Sequence, residues 1–358
     1  MDIFERIGPE GYEEIVFCHD RTTGLQAIIS IHSTALGPAL GGTRFYPYPT
    51  EAEALEDVLR LSRGMTYKAA VAGLDLGGGK AVILGDPATD KTEALIRAYG
   101  RFVDGLGGRY ITAEDVGTTQ PDMDLVRRET RFVTGVSEDL GGSGDPSAAT
   151  AFGVFWSMKA VARHLWGSTS LEGRHVVVAG VGKVGTSVVR LLTEERARVT
   201  VADVNDAAVA TAVRNFGAEA APVDKVHALE CDILSPCALG GSLNRRSIPE
   251  LRCTAVVGSA NNQLADPGCA RMLADAGILY APDYVVNAGG IVNIAEELAP
   301  QGYHRERAYA AVKRIFDTVS SLLAEAEEQA ITTAEAADRA AERRIDQLGQ
   351  VRHINRHR

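Results

Sequence analysis

The sequence predicts an α/β protein of two domains, and three observations support this prediction. The chain has 358 residues, which is enough for two domains of ordinary size. Short apolar segments alternate with longer amphipathic segments along its length, as expected for sheets that are covered by helices. The glycine-rich segment Leu140–Pro146 separates the first part of the chain from a second part that opens on a βαβ pattern.

The first part is predicted to contain a sheet and a capped helix. Thr50 and Glu53 have the spacing of a capping box, so a helix is expected to begin there. Apolar runs bounded by turn residues predict four strands, at Ile15–Phe17, Gln26–Ser30, Ala81–Leu84 and Tyr110–Thr112.

The second part has the pattern of a parallel sheet with crossover helices. A strand at Val176–Ala179, a glycine-rich turn, a helix and a strand at Val199–Ala202 predict a βαβ unit. Apolar spacing predicts one continuous amphipathic helix at Tyr309–Ala324. The other predictions are a helix at 150–165, strands at Asp232–Leu234, Ala255–Gly258 and Ile278–Tyr280, and a last helix capped by Thr332 and Glu335.

Composition argues against several classes of partner. The net charge of −10 argues against nucleic acid or an anionic membrane as a partner, because both require clustered cations. Five cysteines without a Cys-x-x-Cys pair predict neither a disulfide framework nor a metal site. No segment has the ~18 continuous apolar residues of a membrane span, and the N-terminus lacks the apolar run of a signal peptide. We therefore expect a soluble, cytoplasmic protein without a metal.

The glycine-rich turn after Val176–Ala179 has the Gly-x-Gly-x-x-Gly spacing of a dinucleotide-binding loop. The first glycine permits a tight turn, the second lets the backbone approach a pyrophosphate, and the third allows close packing of the next helix. The N–H groups at the start of that helix attract the anion. The loop residues expected at the cofactor are Gly180, Val181, Gly182, Lys183, Val184 and Gly185.

Asp203 ends the following strand roughly 20 residues later, where a carboxylate would bind the ribose hydroxyls. A carboxylate at this position repels the 2′-phosphate of NADP, and the segment 204–206 holds no arginine that could neutralise the phosphate. The sequence therefore favours NAD as the cofactor. The alternative is a glycine-rich turn that binds no ligand.

The segment Leu76–Lys80 combines three glycines with a lysine. A Walker A phosphate loop does not fit, because Leu74 stands where its first glycine belongs and Ala81 where a serine or threonine belongs. A lysine beside an apolar strand can instead be partly desolvated, and a second cation, for which Lys68 is a candidate, would also favour a neutral amine. Such an amine is a usable base near neutral pH, whereas the alternative for either lysine is a solvated surface position.

Several blocks of the sequence together resemble the glutamate/leucine/phenylalanine/valine dehydrogenase family, in order and in spacing over nearly the whole chain. Overall likeness is greatest to the valine-oxidising members and then to the leucine-oxidising ones. The blocks are Pro38–Arg44, Gly64–Lys68, Gly77–Lys80, Thr112–Val116, Gly258–Asn262 and Tyr284–Gly290.

The resemblance implies a role for each matching residue. Lys68 would bind the substrate carboxylate, Lys80 would be the general base that activates water, and Asp115 would carry protons to and from the substrate nitrogen. Asn262 and Asn287 would hold the substrate and the nicotinamide, while Thr150, Cys237 and Ala238 would line the cofactor side. The implied reaction is the NAD-dependent oxidative deamination of an L-amino acid to a 2-oxo acid and ammonia.

The resemblance also implies a pocket for the substrate side chain. Leu40 stands where glutamate dehydrogenases carry a lysine, so a glutamate side chain would lose its partner at a cost of several kcal/mol. Leu40, Gly41, Ala113, Ile291 and Ile294 suggest a narrow aliphatic pocket for valine, leucine or isoleucine, with valine favoured by overall likeness. The alternatives are a phenylalanine dehydrogenase and a catalytically silent, regulatory NAD-binding protein.

The domain prediction follows from these assignments. Residues 1–145 are expected to form an α/β domain for substrate binding and oligomerisation, completed by a C-terminal helix at 331–358. Residues 146–330 are expected to form a Rossmann-type NAD-binding domain, with a cleft between the two. The resemblance implies a homo-oligomer whose partners are otherwise small molecules.

Overall fold

A computed structural model describes residues 3–352 of the chain, and residues 353–358 of the expected C-terminal helix lie outside this range. The fold divides into two compact units. The first unit contains the chain up to Asp145, the segment Ile294–Arg305 and the chain from Ala341 onward. The second unit contains Pro146–Asn293 and Glu306–Ala340.

The first unit is built on a five-stranded mixed sheet. Its strand order is β1-β2-β4-β3-β5, in which β3 lies parallel to both β4 and β5 and the other neighbours are antiparallel. The elements are α1 (Ile3–Ile7), β1 (Glu14–Asp20), β2 (Leu25–Ser33), β3 (Ala39–Tyr46), α2 (Glu51–Val71), β4 (Gly77–Leu84), α3 (Glu93–Gly105), β5 (Tyr110–Glu114) and α4 (Gln120–Arg127).

The glycines before Lys80 belong to strand β4 and not to a loop. A Cβ atom at Gly78 would overlap the backbone nitrogen of Thr66 and lie 2.5 Å from its Cα atom, so helix α2 packs directly on this strand. A Cβ atom at Gly41 on β3 would likewise overlap the carbonyl group of Gly79. The glycine run therefore serves close packing around the lysine strand.

A buried group of hydroxyls lies within the sheet of the first unit. The Thr43 hydroxyl lies 2.5 Å from that of Tyr99 and 2.6 Å from that of Thr112. The Tyr110 hydroxyl donates to the backbone carbonyl of Gly41 at 2.7 Å. Buried hydroxyls that satisfy one another fix side-chain and backbone positions, so this group holds strands β3 and β5 in register.

The two helix caps expected from the sequence are confirmed. The Thr50 side chain accepts a hydrogen bond from the backbone N–H of Glu53 at 3.2 Å. The Glu335 carboxylate accepts from the backbone N–H of Thr332 at 2.7 Å and from its hydroxyl at 2.9 Å. The bonds from the N–H groups of Glu53 and Thr332 satisfy backbone donors that the first helical turn leaves without a partner.

The second unit is built on a six-stranded parallel sheet in the order β11-β10-β9-β6-β7-β8, which confirms the Rossmann-like fold class. Its strands are β6 (His175–Ala179), β7 (Arg198–Ala202), β8 (Glu219–Ala220), β9 (Cys231–Pro236), β10 (Cys253–Val256) and β11 (Leu279–Tyr280). The helices are α5 (Ser147–Trp166), α6 (Lys183–Glu194), α7 (Asp206–Phe216), α8 (Gly268–Asp275), α9 (Asp283–Val286), α10 (Gly289–Ala295), α11 (Arg305–Lys313), α12 (Ile315–Gln329) and α13 (Thr333–Arg352). Three of these helices, α10, α11 and α13, also include residues of the first unit.

The prediction of one continuous helix at Tyr309–Ala324 is wrong. Helix α11 ends at Lys313 and α12 begins at Ile315, and the N–H of Arg314 bonds to Ala311, three residues back, instead of four. The apolar positions on either side of this tight turn keep nearly the same spacing, which is why the sequence pattern does not reveal the break.

Among residues 3–352, no helix combines the length and the apolar character needed to cross a lipid bilayer.

The close packing at Gly78 predicts a large effect of a single methyl group. We expect Gly78→Ala to lower the free energy of unfolding by about 1–3 kcal/mol, because helix α2 must move away from β4. Gly64→Ala is the matched control, since a Cβ atom there meets no other atom within 4 Å. Gly64 lies inside helix α2, where alanine favours the helix more than glycine does. Gly64→Ala should therefore stabilise the protein by about 0.5–1 kcal/mol. Denaturant unfolding midpoints test the pair, and equal midpoints would contradict the packing argument.

Candidate active site

Lys80 and Asp115 meet because strands β4 and β5 flank strand β3. Thr43 on β3 is in register with Ala81 on one side and with Glu114 on the other, so the residues next to those two partners come close together. The Nζ atom of Lys80 lies 2.8 Å from Oδ2 of Asp115. The structure thus brings together two of the three predicted catalytic residues.

The contact between Lys80 and Asp115 is a largely buried ion pair. The side chain of Lys80 is 8% exposed and that of Asp115 is 21% exposed. Burial alone would raise the pKa of Asp115, but the positive charges of Lys80 and Arg44 outweigh burial and lower the pKa to about 2. The carboxyl group is therefore ionised near neutral pH. A neutral Lys80 was expected from its apolar surroundings, whereas the structure places a carboxylate against its amine.

Arg44 is a residue of this site that the sequence reasoning missed. Its Nε atom lies 3.4 Å from the same Oδ2 atom of Asp115, and its Nη1 atom lies 2.7 Å from Asp57. Arg44 stands at the end of the sequence block Pro38–Arg44, which carries the family resemblance. The presence of a charged residue in that block could have pointed to Arg44 as a site residue. Its partner, Asp115, is revealed only by the register of β3 and β5.

The loop that follows β5 is tied to β3, which fixes the position of Asp115. The Thr118 hydroxyl accepts from the backbone N–H of Asp115 at 2.9 Å and lies 2.8 Å from the carbonyl of Thr43. A Cβ atom at Gly117 would overlap the carbonyl of Phe45, so the loop has no room to shift toward the sheet. Backbone contacts of this kind preorganise the carboxylate.

The other substrate residues expected in the first unit lie on the same elements. Leu40 is 0% exposed and Ala113 is 3% exposed, on the adjacent strands β3 and β5. Gly41 follows Leu40 on β3, and its carbonyl accepts a hydrogen bond from the Tyr110 hydroxyl. Lys68 lies half-buried in the last turn of α2. Leu40 and Ala113 are thus packed inside the first unit, on strands of the sheet that carries Lys80.

Ile291 and Ile294, the remaining residues of the expected pocket, both belong to helix α10. Ile291 is buried and falls within the second unit, whereas Ile294 is the first residue of a segment that belongs to the first unit.

The glycine-rich turn connects β6 to α6 in the second unit, and its three glycines differ in their surroundings. Gly180 has a φ of 108°, and a Cβ atom there would lie 2.8 Å from the backbone nitrogen of Ala238. A Cβ atom at Gly182 would meet nothing within 4 Å, so the backbone there is open to a ligand. A Cβ atom at Gly185 would overlap the carbonyl of Gly180, so helix α6 packs closely on the turn. This arrangement fits a pyrophosphate at the start of α6, where Lys183 and Val184 form the first turn.

Asp203 follows strand β7 and braces the glycine-rich turn. Its Oδ2 atom accepts from the N–H of Val181 at 2.7 Å and its Oδ1 atom from the N–H of Asn205 at 2.8 Å. A carboxylate held in this way lies where a dinucleotide in the turn would present its ribose. The residues present therefore fit a nicotinamide dinucleotide.

The other residues expected to line the cofactor, Thr150, Cys237 and Ala238, lie in two parts of the second unit. The N–H of Cys237 donates to the carbonyl of Ala179 at 2.7 Å, which places Cys237 and Ala238 directly beside Gly180. Thr150 lies in α5, where its hydroxyl donates to the carbonyl of Pro146 at 3.0 Å.

The two asparagines predicted at the site lie in loops that hydrogen bonds hold in shape. The Asn287 side chain is almost fully buried and donates to the carbonyl of Ser259 at 3.0 Å and to Oδ1 of Asn261 at 2.7 Å. Asn262 has a positive φ of 51°, and its carbonyl accepts from the N–H of Gly241 at 2.7 Å. A residue held in the left-handed region marks a backbone that its surroundings constrain.

Both parts of the chain match known families. Residues 12–132 match the Glu/Leu/Phe/Val dehydrogenase dimerisation domain. Residues 141–213 and 205–352 match the Glutamate/Leucine/Phenylalanine/Valine dehydrogenase family.

Two curated relatives and one solved structure are similar over nearly the whole chain. Leucine dehydrogenase of Geobacillus stearothermophilus is 53% identical, covering 98% of this chain and 95% of its own length. Valine dehydrogenase of Streptomyces virginiae is 55% identical, covering 94% of each chain. The crystal structure of L-tryptophan dehydrogenase from Nostoc punctiforme has a TM-score of 0.84 at 44% identity, covering 97% of this chain and 99% of that one.

These matches extend over both units and include the strand that carries Lys80, the loop that carries Asp115 and the glycine-rich turn. The sequence resemblance is thereby confirmed. The chain belongs to the glutamate/leucine/phenylalanine/valine dehydrogenase family and is an amino-acid dehydrogenase.

Proposed function

We propose that this enzyme catalyses the NAD-dependent oxidative deamination of a branched-chain aliphatic L-amino acid, with valine favoured and leucine and isoleucine also accepted. The observation that carries the proposal is the 2.8 Å contact between Lys80 and Asp115, two groups that can exchange protons with a substrate. Their neighbours on the sheet, Leu40 and Ala113, are apolar and buried.

A nicotinamide dinucleotide held at the glycine-rich turn Gly180–Gly185 and at Asp203 would supply the acceptor for the hydride of the substrate α-carbon. Asp115 takes a proton from the substrate ammonium group, which leaves a lone pair on the nitrogen. Once the hydride is lost, the substrate is a protonated imine (C=NH₂⁺). Lys80 as a neutral amine removes a proton from water while the water oxygen bonds to the imine carbon. Asp115 returns its proton to the nitrogen of the resulting carbinolamine and is again a carboxylate. That carboxylate takes the proton of the new hydroxyl as the C–N bond breaks, and ammonia and the 2-oxo acid leave.

This chemistry requires that the ion pair change its protonation state. Nζ of Lys80 lies 2.8 Å from the carboxylate of Asp115, and a lysine acts as a base only as a neutral amine. Alkaline conditions favour the neutral form of an amine. The proposal therefore includes an optimum at alkaline pH for deamination.

The other residues have supporting roles in the proposal. Lys68 binds the substrate carboxylate, and Asn262 and Asn287 hold the substrate and the nicotinamide. Asp203 selects NAD over NADP, because its carboxylate repels a 2′-phosphate and the segment 204–206 offers no cation. Thr150, Cys237 and Ala238 line the cofactor. The match to a dimerisation domain supports a homo-oligomer.

The ranking of substrates rests on small energies. One methylene group in an apolar pocket is worth about 1–3 kcal/mol, and the leucine and valine dehydrogenases quoted above are almost equally similar to this chain. A second candidate for the substrate is an aromatic amino acid, and phenylalanine belongs to this class. The 44% identity to L-tryptophan dehydrogenase supports that candidate.

A substrate panel tests the proposal directly. With NAD⁺ at alkaline pH, we expect kcat/KM for valine, leucine and isoleucine to exceed the value for phenylalanine, tryptophan or glutamate by at least tenfold, which corresponds to about 1.4 kcal/mol. An aromatic ring does not fit a narrow aliphatic pocket, and the glutamate carboxylate would find no partner there. Absorbance of the reduced cofactor provides the measurement. A higher kcat/KM for an aromatic amino acid would favour the second candidate, and no activity with any amino acid would refute the proposal.

Removal of the proposed base should abolish turnover. We expect Lys80→Ala to lower kcat by at least about 10²-fold, in line with the loss of general base catalysis, while the affinity for NAD is retained. Lys225→Ala serves as the control, because this lysine is exposed in the second unit and should retain normal kinetics. Turnover in the Lys80 variant equal to that of the control would contradict its role.

Cofactor selection should depend on the charge of Asp203. We expect Asp203→Asn to raise KM for NAD⁺ and to reduce the preference for NAD⁺ over NADP⁺ by roughly tenfold, because the repulsion of a 2′-phosphate is removed. Asp206→Asn removes the same charge from an exposed position at the start of α7 and is the matched control. An unchanged preference in the Asp203 variant would show that other residues select the cofactor.

A further inference from the structure

We propose that Arg44 is a positioning residue of the catalytic site, whose permanent positive charge holds Asp115 in place and compensates its carboxylate when Lys80 gives up its proton. The proposal rests on the function proposed above, since only a reaction that uses a neutral Lys80 requires such compensation. It assigns a task to a side chain that has no direct part in the proposed proton transfers.

The geometry of Asp115 is the first step of the argument. Two cations contact the same oxygen atom, Oδ2: Nζ of Lys80 at 2.8 Å and Nε of Arg44 at 3.4 Å. The shorter contact belongs to the group that must lose its charge during the reaction. The longer contact belongs to a guanidinium, which stays protonated throughout the range in which enzymes work.

The second step concerns what holds Arg44. Its Nη1 atom lies 2.7 Å from Oδ2 of Asp57, and the Tyr48 hydroxyl donates to that same oxygen at 2.6 Å. Arg60 lies 2.7 Å from the other oxygen, Oδ1 of Asp57. The guanidinium therefore bridges a carboxylate on α2 and the carboxylate after β5, and it cannot turn away from Asp115 without leaving an anion behind.

The third step is energetic. A carboxylate that is only 21% exposed is costly to leave unpaired, typically by several kcal/mol when its partner is removed. Deprotonation of Lys80 takes one charged partner away from Asp115, because the neutral amine keeps the hydrogen bond but loses the charge. With Arg44 on the same oxygen, Asp115 remains paired in both protonation states of the lysine. Burial opposes the charge on Arg44, but Asp115 and Asp57 outweigh it and raise the pKa of this guanidinium, so it stays charged.

The fourth step gives the sign of the expected effect. Because Arg44 already shares the negative charge of Asp115, the ammonium form of Lys80 gains less from the carboxylate than it would as the sole partner. Removing the guanidinium leaves Lys80 as the sole partner and makes its proton harder to remove. Removing the charge of Asp57 has the opposite effect, since the guanidinium then acts on Asp115 without a competing anion. Four ion pairs connect the groups of this argument: Lys80 and Arg44 each pair with Asp115, and Arg44 and Arg60 each pair with Asp57.

The test is the pH dependence of kcat/KM for the amino acid. We expect Arg44→Met to move the acid limb of the profile to higher pH by about one unit, which is about a tenfold loss at a fixed pH on that limb. Arg44→Lys should recover part of the shift, and Asp57→Asn should move the limb to lower pH. Arg60→Met is the matched control, because Arg60 is an exposed cation that pairs with Asp57 and not with Asp115, so its removal should move the limb far less than Arg44→Met does.

Titration of the free substrate is common to all variants, so differences between their profiles report on the protein. A merely structural role for Arg44 would lower kcat without moving the limb, and it would not give shifts of opposite sign at Arg44 and Asp57. Superimposed limbs for wild type and Arg44→Met would overturn the proposal. If Arg44→Met does not fold, the sign of the Asp57→Asn shift decides the question, and an unmoved or upward-shifted limb overturns it.

A second readout does not depend on activity. Carbon-13 NMR of labelled aspartate carboxyl groups, assigned by comparison with Asp115→Asn, gives the pKa of Asp115 directly. The proposal expects a pKa of about 2 in the wild type and a higher value in Arg44→Met. An unchanged pKa would overturn it. Absence of activity with every amino acid would instead refute the proposed function, while this titration would still report on Arg44.

Discussion

One carboxylate oxygen, Oδ2 of Asp115, carries the charge balance on which the proposed catalytic chemistry depends. It contacts Lys80 and Arg44, and those two charges outweigh the burial of the carboxyl group, so its pKa falls to about 2. A buried ion pair contributes little stability by itself, because desolvation opposes the attraction. Its value here lies in position, since the pair holds two proton-exchanging groups in contact on adjacent parts of one sheet.

Close backbone packing makes this pair possible. Gly41, Gly78 and Gly79 let strands β3 and β4 and helix α2 approach closely, and Gly117 lets the loop after β5 lie against β3. The hydroxyls of Thr43, Thr112 and Tyr110 then fix the register of the strands from within. The second unit uses the same device at Gly180 and Gly185, where glycine brings α6 onto the end of β6. In both units, glycines thus allow the close backbone contacts that position the functional side chains.

The sequence predicted the parts of this arrangement that depend on local pattern. The fold class, the βαβ unit with its glycine spacing, and the caps at Thr50 and Thr332 follow from residues close together in the chain. The ion pair does not follow from local pattern, because Lys80 and Asp115 are brought together only by the register of β4 and β5 with β3. Arg44 was missed for the same reason, and the break at Arg314 was missed because the apolar spacing continues across it.

The protonation state of the pair is the claim on which the account depends most, and neutron diffraction from a deuterium-exchanged crystal measures it directly. Near neutral pH the account predicts three deuterons on Nζ of Lys80 and none on either carboxyl oxygen of Asp115. A two-deuteron amine facing a deuterated carboxyl group would contradict the ion pair, and with it the tasks assigned to Lys80, Asp115 and Arg44.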